Sequence, residues 1–211
     1  MTGFEVLQAV DAEVSTCQRC ELHFSRKIAV PGEGPANAKL MFIGEGPGFH
    51  ENEKGRPFVG SAGAFLDELL ASIGLKREEV FITNVVKCRP PANRDPQIEE
   101  LHACSDFLEQ QIQAINPKLI ITLGRISMVR FLPNVKISEM HGQAVRVRGR
   151  LVIPMYHPAA ALHQPSLRDT VISDFSQLPE WMVKAGNIPE MQPDVVFAEN
   201  HKQRSEQLSL F

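Results

Sequence analysis

The residues whose types and spacing could do chemistry are four cysteines, one glycine-rich turn and three side chains that each follow an apolar run. Cys17 and Cys20 form a C-x-x-C pair, Cys88 follows after 67 intervening residues and Cys104 after 15 more. In an intracellular protein such a set reads as a metal site rather than as two disulfides. Tetrathiolate zinc favours two tight knuckles, whereas an iron-sulfur cluster tolerates irregular spacing. The spacing leaves both open, with scattered buried thiols as the plain alternative.

The glycine turn closes the run Lys39-Leu40-Met41-Phe42-Ile43 with Gly44-Glu45-Gly46-Pro47-Gly48. An apolar run stopped by three glycines and a proline reads as a buried strand ending where backbone amides can approach a ligand. It is neither G-x-G-x-x-G nor a loop ending in G-K-S/T, so nucleotide cofactors lose ground. Phe58, Asn84 and His157 also follow apolar runs and would gather at the same strand ends. A flat ring, an amide with a donor and an acceptor, and an imidazole able to donate to growing negative charge suit a planar heterocycle held for attack. Their plain alternatives are a core ring, an amide satisfying loop backbone and a histidine capping a turn.

The elements that must position these groups follow from periodicity. Residues 4–16, with Phe4, Leu7 and Val14, predict an amphipathic helix that leads into the cysteine pair and that we expect to serve as a lid. The prolines and glycines of residues 29–37 make a loop, and Leu40 to Ile43 the first strand. A polar loop, Phe49 to Arg56, leads to a helix capped by Ser61, with Phe65, Leu66, Leu69, Leu70 and Ile73 inward and an amino end able to hold a phosphate. Val80 to Val86 predicts a strand buried on both faces. Asp95-Pro96 opens a long helix in which Cys104, spaced from Leu101 and Leu108, points inward. A third strand at 117–124, a short helix through Met128, a hairpin at 144–153 continuing to Tyr156, and a helix at 166–175 complete the alternation. The fold class expected is α/β: a three-layer α/β/α sandwich around a central four-stranded, mainly parallel sheet.

Composition sets the bounds. A chain of 211 residues, 43% apolar and 22% charged, suits one catalytic domain, residues 1–185, and a flexible tail, residues 186–211. A net charge of -3 excludes a generic polyanion binder, so any nucleic-acid contact needs local basic groups and amides. No apolar stretch is long enough to span a bilayer, and Glu5, Asp11 and Glu13 make the first segment a poor secretory signal. A cytoplasmic monomer is expected. The tail's last residues, Gln207, Leu208, Ser209, Leu210 and Phe211, strand apolar side chains with nothing local to bury them, which suggests a docking peptide.

Taken together, Cys17-x-x-Cys20, Gly44-Glu45-Gly46-Pro47-Gly48, Gly55-Arg56-Pro57-Phe58-Val59-Gly60, Thr83-Asn84-Val85-Val86-Lys87-Cys88, Asn93-Arg94-Asp95-Pro96 leading to Cys104, and Tyr156-His157-Pro158-Ala159-Ala160 resemble the family 4 uracil-DNA glycosylases. The resemblance runs from Cys17 to Leu178. It implies a uracil-DNA glycosylase-like fold and a 4Fe-4S cluster held by the four cysteines, against zinc. It also implies backbone contacts to uracil from Glu45, Gly46 and Pro47, stacking by Phe58, reading of the pyrimidine edge by Asn84, and His157 beside the O2 oxygen. The activity expected is hydrolytic excision of uracil from DNA, starting base excision repair. The alternative is a non-catalytic module, docked on the DNA sliding clamp, that binds uracil or abasic DNA. Glu51, in the loop after the glycine turn, is our candidate for orienting the attacking water. Three departures stand out: Ala161-Leu162-His163 where relatives carry L-L-R, so the wedge that fills the vacated stack is shifted or smaller; a less acidic Phe49-His50-Glu51-Asn52 loop; and no inserted basic loop of the covalent uracil-binding branch at residues 89–94. The terminal pentapeptide is similar to those that dock bacterial repair proteins on the DNA sliding clamp, so a bacterial, nucleoid-associated enzyme is expected.

Overall fold

The computed structural model describes residues 1–186. Helix α1 (Gly3–Thr16) opens on a capping box, with Thr2 and Glu5 satisfying each other's amides, and is followed by the short α2 (Leu22–Ser25). Strand β1 (Leu40–Gly44), helices α3 (Phe49–Lys54) and α4 (Ser61–Ser72), and strand β2 (Phe81–Asn84) come next. Then follow α5 (Ile98–Ile115), β3 (Leu119–Leu123), and the short α6 (Arg125–Val129) and α7 (Ile137–Met140). The hairpin β4 (Val145–Val147) and β5 (Arg150–Met155) leads to α8 (Pro158–His163), α9 (Arg168–Ser176) and α10 (Leu178–Gly186).

The strands form one sheet in the order β2-β1-β3-β5-β4, parallel except for β4. Alternation along each strand divides the core into two layers. Leu40 and Phe42, Ile82, Leu119, Ile121 and Leu123, and Leu151 and Ile153 pack under α4, α9 and α10. Met41 and Ile43, Phe81, Ile120 and Val152 pack under α5 and Leu7 of α1. The α/β/α sandwich expected from the alternation is thus present. Its sheet has five strands rather than four, because the first arm of the hairpin pairs with β5 as an antiparallel edge. The turn between the arms places Arg148 and Gly149 at φ 47° and 75°, the left-handed pair of a tight hairpin turn.

Several local expectations are corrected. α1 buries Leu7, Val10 and Val14, whereas Phe4, expected inward, is exposed. Residues 49–54 are helical rather than loop, ended by Gly55 at φ 68°. α5 starts at Ile98 with Gln97 and Glu100 as its capping box, while Asp95 instead pairs with Arg125 at 2.6 Å. Ser61 is the first residue of α4, and Gly60 its cap. A further helix, α10, buries Leu178 and Ala185 beyond the helix expected at 166–175.

The chain leaves β1 for β2 on one side and then crosses to β3 on the other, so β1 is where the winding reverses. A crevice beyond its carboxyl end is the natural ligand site of such a sheet.

Candidate active site

The turn after β1 is fixed before any ligand arrives. Val85 N donates to Gly44 O at 3.0 Å and Val86 N to Glu45 O at 3.1 Å, extending the β1–β2 ladder past the strand ends. Gly44 pairs directly with Asn84. A Cβ on Gly44 would overlap Asn84 Oδ1 and come within 2.6 Å of the Phe58 ring, so this glycine is the floor on which both side chains meet. Pro47 is buried, whereas Glu45 and Gly46 remain partly open. Burial, then the nearby Asp95, pushes the Glu45 carboxyl above its ordinary range.

Phe58 is held under strain. It is buried and sits at φ 49°, a left-handed conformation costly for a bulky residue. Arg77 keeps it there, Nη1 donating to Phe58 O at 3.1 Å and Nη2 to Pro57 O, while its Nε is anchored on Glu33 Oε1 at 2.6 Å. Gly63 makes room on the other side, since a Cβ there would overlap the Phe58 carbonyl. The Phe58 ring lies 5.4 Å from that of His157, the planes 26° apart.

Asn84 ends β2 with its Oδ1 buried and without a hydrogen-bond partner among the described residues. A buried unmet acceptor costs on the order of 1–3 kcal/mol and calls for an explanation. Its backbone carbonyl accepts from Lys87 Nζ at 2.8 Å. That lysine is wholly buried, its other donors taken by Thr83 Oγ1 at 2.6 Å and Gln111 Oε1 at 2.7 Å, and burial lowers its pKa to about 8.

His157 caps α8. Its Nδ1 accepts from Ala159 N at 3.1 Å, so in the neutral ring the proton must be on Nε2. Burial lowers its pKa to about 4, against a small opposing pull from Glu51. The imidazole is therefore neutral at pH 7 and presents Nε2–H as a donor. Gly124, at φ 96°, would bring a Cβ to 3.3 Å of the His157 Cβ, so the turn after β3 is shaped around it. Glu51, on α3, turns Oε1 onto Val59 N at 2.9 Å and Gly60 N at 3.1 Å. Those amides at the head of α4 are thereby occupied by a carboxylate of the chain, where the sequence had suggested phosphate. Gly48 leaves space for Oε2, from which a Cβ would be only 2.8 Å.

The glycine turn, Phe58, Asn84, His157 and Glu51 thus share one crevice. Arg77, Gly63 and Lys87 had been given no role. Arg77 and Gly63 lie in segments with no chemical signature, and Lys87 is visible only as a charge between Asn84 and Cys88.

The four cysteines line a separate cavity with Val14, Leu22 and Phe107. Cys17 and Cys20 come from the junction of α1 and α2, Cys88 from the loop after β2, and Cys104 from α5. Arg26 Nη1 donates to Cys88 Sγ at 3.3 Å and Lys87 N to Cys104 Sγ at 3.3 Å, the kind of donors that support thiolates. Burial raises the free thiols of Cys20 and Cys88, and that of Cys104 to about 12, so a bound cation must displace their protons. Among the described residues no three His, Cys, Asp or Glu close on a single ion. Four thiols lining one cavity are a donor set suited to a thiolate-bound metal centre. Gln207, Leu208, Ser209, Leu210 and Phe211 lie outside the described residues.

A crevice able to grip a flat heterocycle and donate to it as it becomes an anion places the chain in a class: enzymes that release a nucleobase. Comparison with known families narrows this. The uracil DNA glycosylase superfamily matches residues 31–178. A type-4 uracil-DNA glycosylase of Archaeoglobus fulgidus is 46% identical over 186 residues, covering 83% of this chain and 93% of that protein. One from Sulfurisphaera tokodaii is 46% identical (82% and 84% covered), and one from Thermotoga maritima 42% (88% and 99%). The chain belongs to the uracil DNA glycosylase superfamily, in its type-4 branch.

Proposed function

We infer that this chain removes uracil from DNA by hydrolysing its glycosidic bond, leaving an abasic site for base excision repair. The observation that carries the pocket chemistry is the partnerless Asn84 Oδ1, buried beside Phe58 and facing the same crevice as His157. Uracil supplies what it lacks, an N3–H donor. Cytosine has an acceptor at that position and would leave the buried pair unmet. Phe58 stacks on the extruded base, and the amides of the Glu45-Gly46-Pro47 turn approach its edge.

Breaking the N1–C1′ bond sends its electron pair into the uracil ring, building negative charge on O2 and positive charge on the sugar. His157 Nε2–H donates to O2 without itself having to lose charge, a role suited to a neutral imidazole. A donor fixed in this way contributes on the order of 3–4 kcal/mol. Glu51, already oriented by two amides, positions water for C1′ and favours the cationic sugar. Leu162, exposed on α8 beyond His157, is the apolar side chain available to fill the vacated stack, which offsets the departure from the family pattern.

The same reading assigns Cys17, Cys20, Cys88 and Cys104 to a 4Fe-4S cluster. Bound there, it would cross-link α1, α2, the loop after β2 and α5. The partner is uracil-containing DNA. The terminal peptide, residues 207–211, would tether the enzyme to a bacterial sliding clamp at the nucleoid, on the strength of its sequence alone. Deleting it should abolish clamp capture while leaving cleavage of short oligonucleotides intact; unchanged capture would sink that part.

The direct test is single-turnover cleavage of a single-stranded oligonucleotide holding one uracil, with thymine and cytosine controls and alkali to cut abasic sites. Cleavage should be confined to uracil and fall about 10²–10³-fold in His157→Ala. A His157→Ala rate within about threefold of the unaltered chain would overturn the role given to this residue. Absence of cleavage by the intact, brown protein would favour a binding module.

A further inference from the structure

Large apolar side chains on the surface are unremarkable singly, but three of them lie on neighbouring segments next to the glycine turn. Phe24 of α2 is 74% exposed, Phe49 of α3 54%, and Ile28 between them in sequence 43%. Their segments are seated together: Ile28 N donates to Asn52 O at 3.2 Å and Lys27 N to Asn52 Oδ1 at 2.8 Å, joining the α2 exit to α3. Ser25 Oγ reaches Arg89 O at 3.4 Å, and the Arg89 guanidinium lies over the Phe49 ring at 5.4 Å. His50 meets that ring edge-on and His23 lies against Phe24 at 3.8 Å between ring centroids.

The charges on this surface differ in availability. Lys27 is paired with Glu53, and Arg26 is spent on Cys17 O, Ser15 O and Cys88 Sγ. Arg89 bonds through Nε to a neutral acceptor, Asn93 Oδ1, at 2.8 Å, and has no carboxylate partner among the described residues. It keeps a full positive charge beside an exposed aromatic ring.

We propose that Phe49 and Phe24, with Arg89 between them, form a stacking platform for the unpaired nucleotides next to the extruded uridine, so that this chain grips single-stranded DNA on that side. The proposal rests on the reading that uridine is held at the Gly44–Gly48 turn. Phe49 directly follows that turn, so a strand entering the crevice must cross this lip or the opposite one. Stacking on aromatic rings is open to any base whose face is free, and in a duplex those faces are covered. With the chain's net charge at -3, affinity has to come from such local contacts rather than from the overall field.

The test is equilibrium binding of the full, cluster-loaded chain to an oligonucleotide carrying a non-cleavable 2′-fluorinated deoxyuridine, single-stranded and duplex, with inhibition by free uracil measured in parallel. Phe49→Ala should weaken single-strand binding about 10-fold and duplex binding less than about threefold, with uracil inhibition unchanged. Extending the single strand by one nucleotide toward Phe49 should tighten the unaltered chain and not the variant. Arg89→Gln should lower the salt dependence of single-strand binding by about 0.7 in the log–log slope. Unchanged single-strand affinity in Phe49→Ala, or equal losses on single strand and duplex, would overturn the platform alone. Failure of free uracil to inhibit the unaltered chain would overturn the pocket reading and the platform with it.

Discussion

The proton count on His157 governs how the enzyme should answer to pH. With the pKa lowered to about 4, the ring is neutral throughout the physiological range, so excision should show no rise or fall centred on pH 6.5. Stability responds with a definite sign. Between about pH 6.5 and 4 the unfolded chain carries the proton and the folded one does not, so this residue destabilises the fold as pH falls through that window and contributes no slope above it. Urea midpoints of the unaltered chain and His157→Gln, measured from pH 8 to 4, should run parallel above pH 6.5 and converge below it; parallel curves throughout would contradict the buried, neutral assignment. Asn84 and His157 could be picked out from sequence because each is a polar residue closing an apolar run. Glu51 could only be suspected: its grip on the Val59 and Gly60 amides depends on α3 turning back toward the head of α4.

At the scale of elements, the glycine inside α4 tests how the stacking ring is held. Helix propensity favours alanine over glycine by about 1 kcal/mol. The Gly63 Cβ position, however, coincides with the backbone carbonyl of Phe58, which cannot rotate away as a side chain could. We therefore expect Gly63→Ala to keep the helical content yet weaken inhibition by free uracil at least about 10-fold, read by competition during cleavage. An unchanged inhibition constant would mean that the 57–60 segment relaxes freely. The strands, α4 and α5 were legible in periodicity alone, since each pairs a hydrophobic period with a packed face. The hairpin was legible in its alternation about a glycine, but not that its first arm joins the sheet as a fifth strand, nor the α5 start and the packing of α1. β4 has no fully buried residue to mark it as part of the sheet rather than of a free hairpin, Gln97 and Glu100 outcompeted the Asp95-Pro96 signal, and α1 finds its partner α5 only much later in the chain.

Across the whole molecule, two cores flank the sheet and a third surrounds the thiols, where Val10, Val14, Leu22, Val86 and Phe107 join Cys88 and Cys104. The thiol cavity and the crevice at Asn84 are joined through buried Lys87, whose N–H donates to Cys104 Sγ and whose Nζ donates to the Asn84 carbonyl. If the cluster is a structural cross-link, Cys104→Ser should lose the brown absorbance and lower the melting temperature. Limited proteolysis should then cut between residues 17 and 30 first, ahead of the sheet. Equal resistance in both proteins would argue that the apolar contacts of α1 suffice. Cysteine spacing could not choose between zinc and iron-sulfur, because both take thiolates brought together from distant segments.

The seating of α1 and α2 on later parts of the chain also bears on how the protein is made. Residues 3–26 leave the ribosome ahead of the sheet, yet their apolar stripe and two thiols have nowhere to go until β2, its following loop and α5 have emerged. The sheet can assemble around β1 meanwhile. The α1–α2 segment is thus among the last of the described residues to be secured, and filling of the thiol cavity would be a step in maturation rather than an addition to a finished fold.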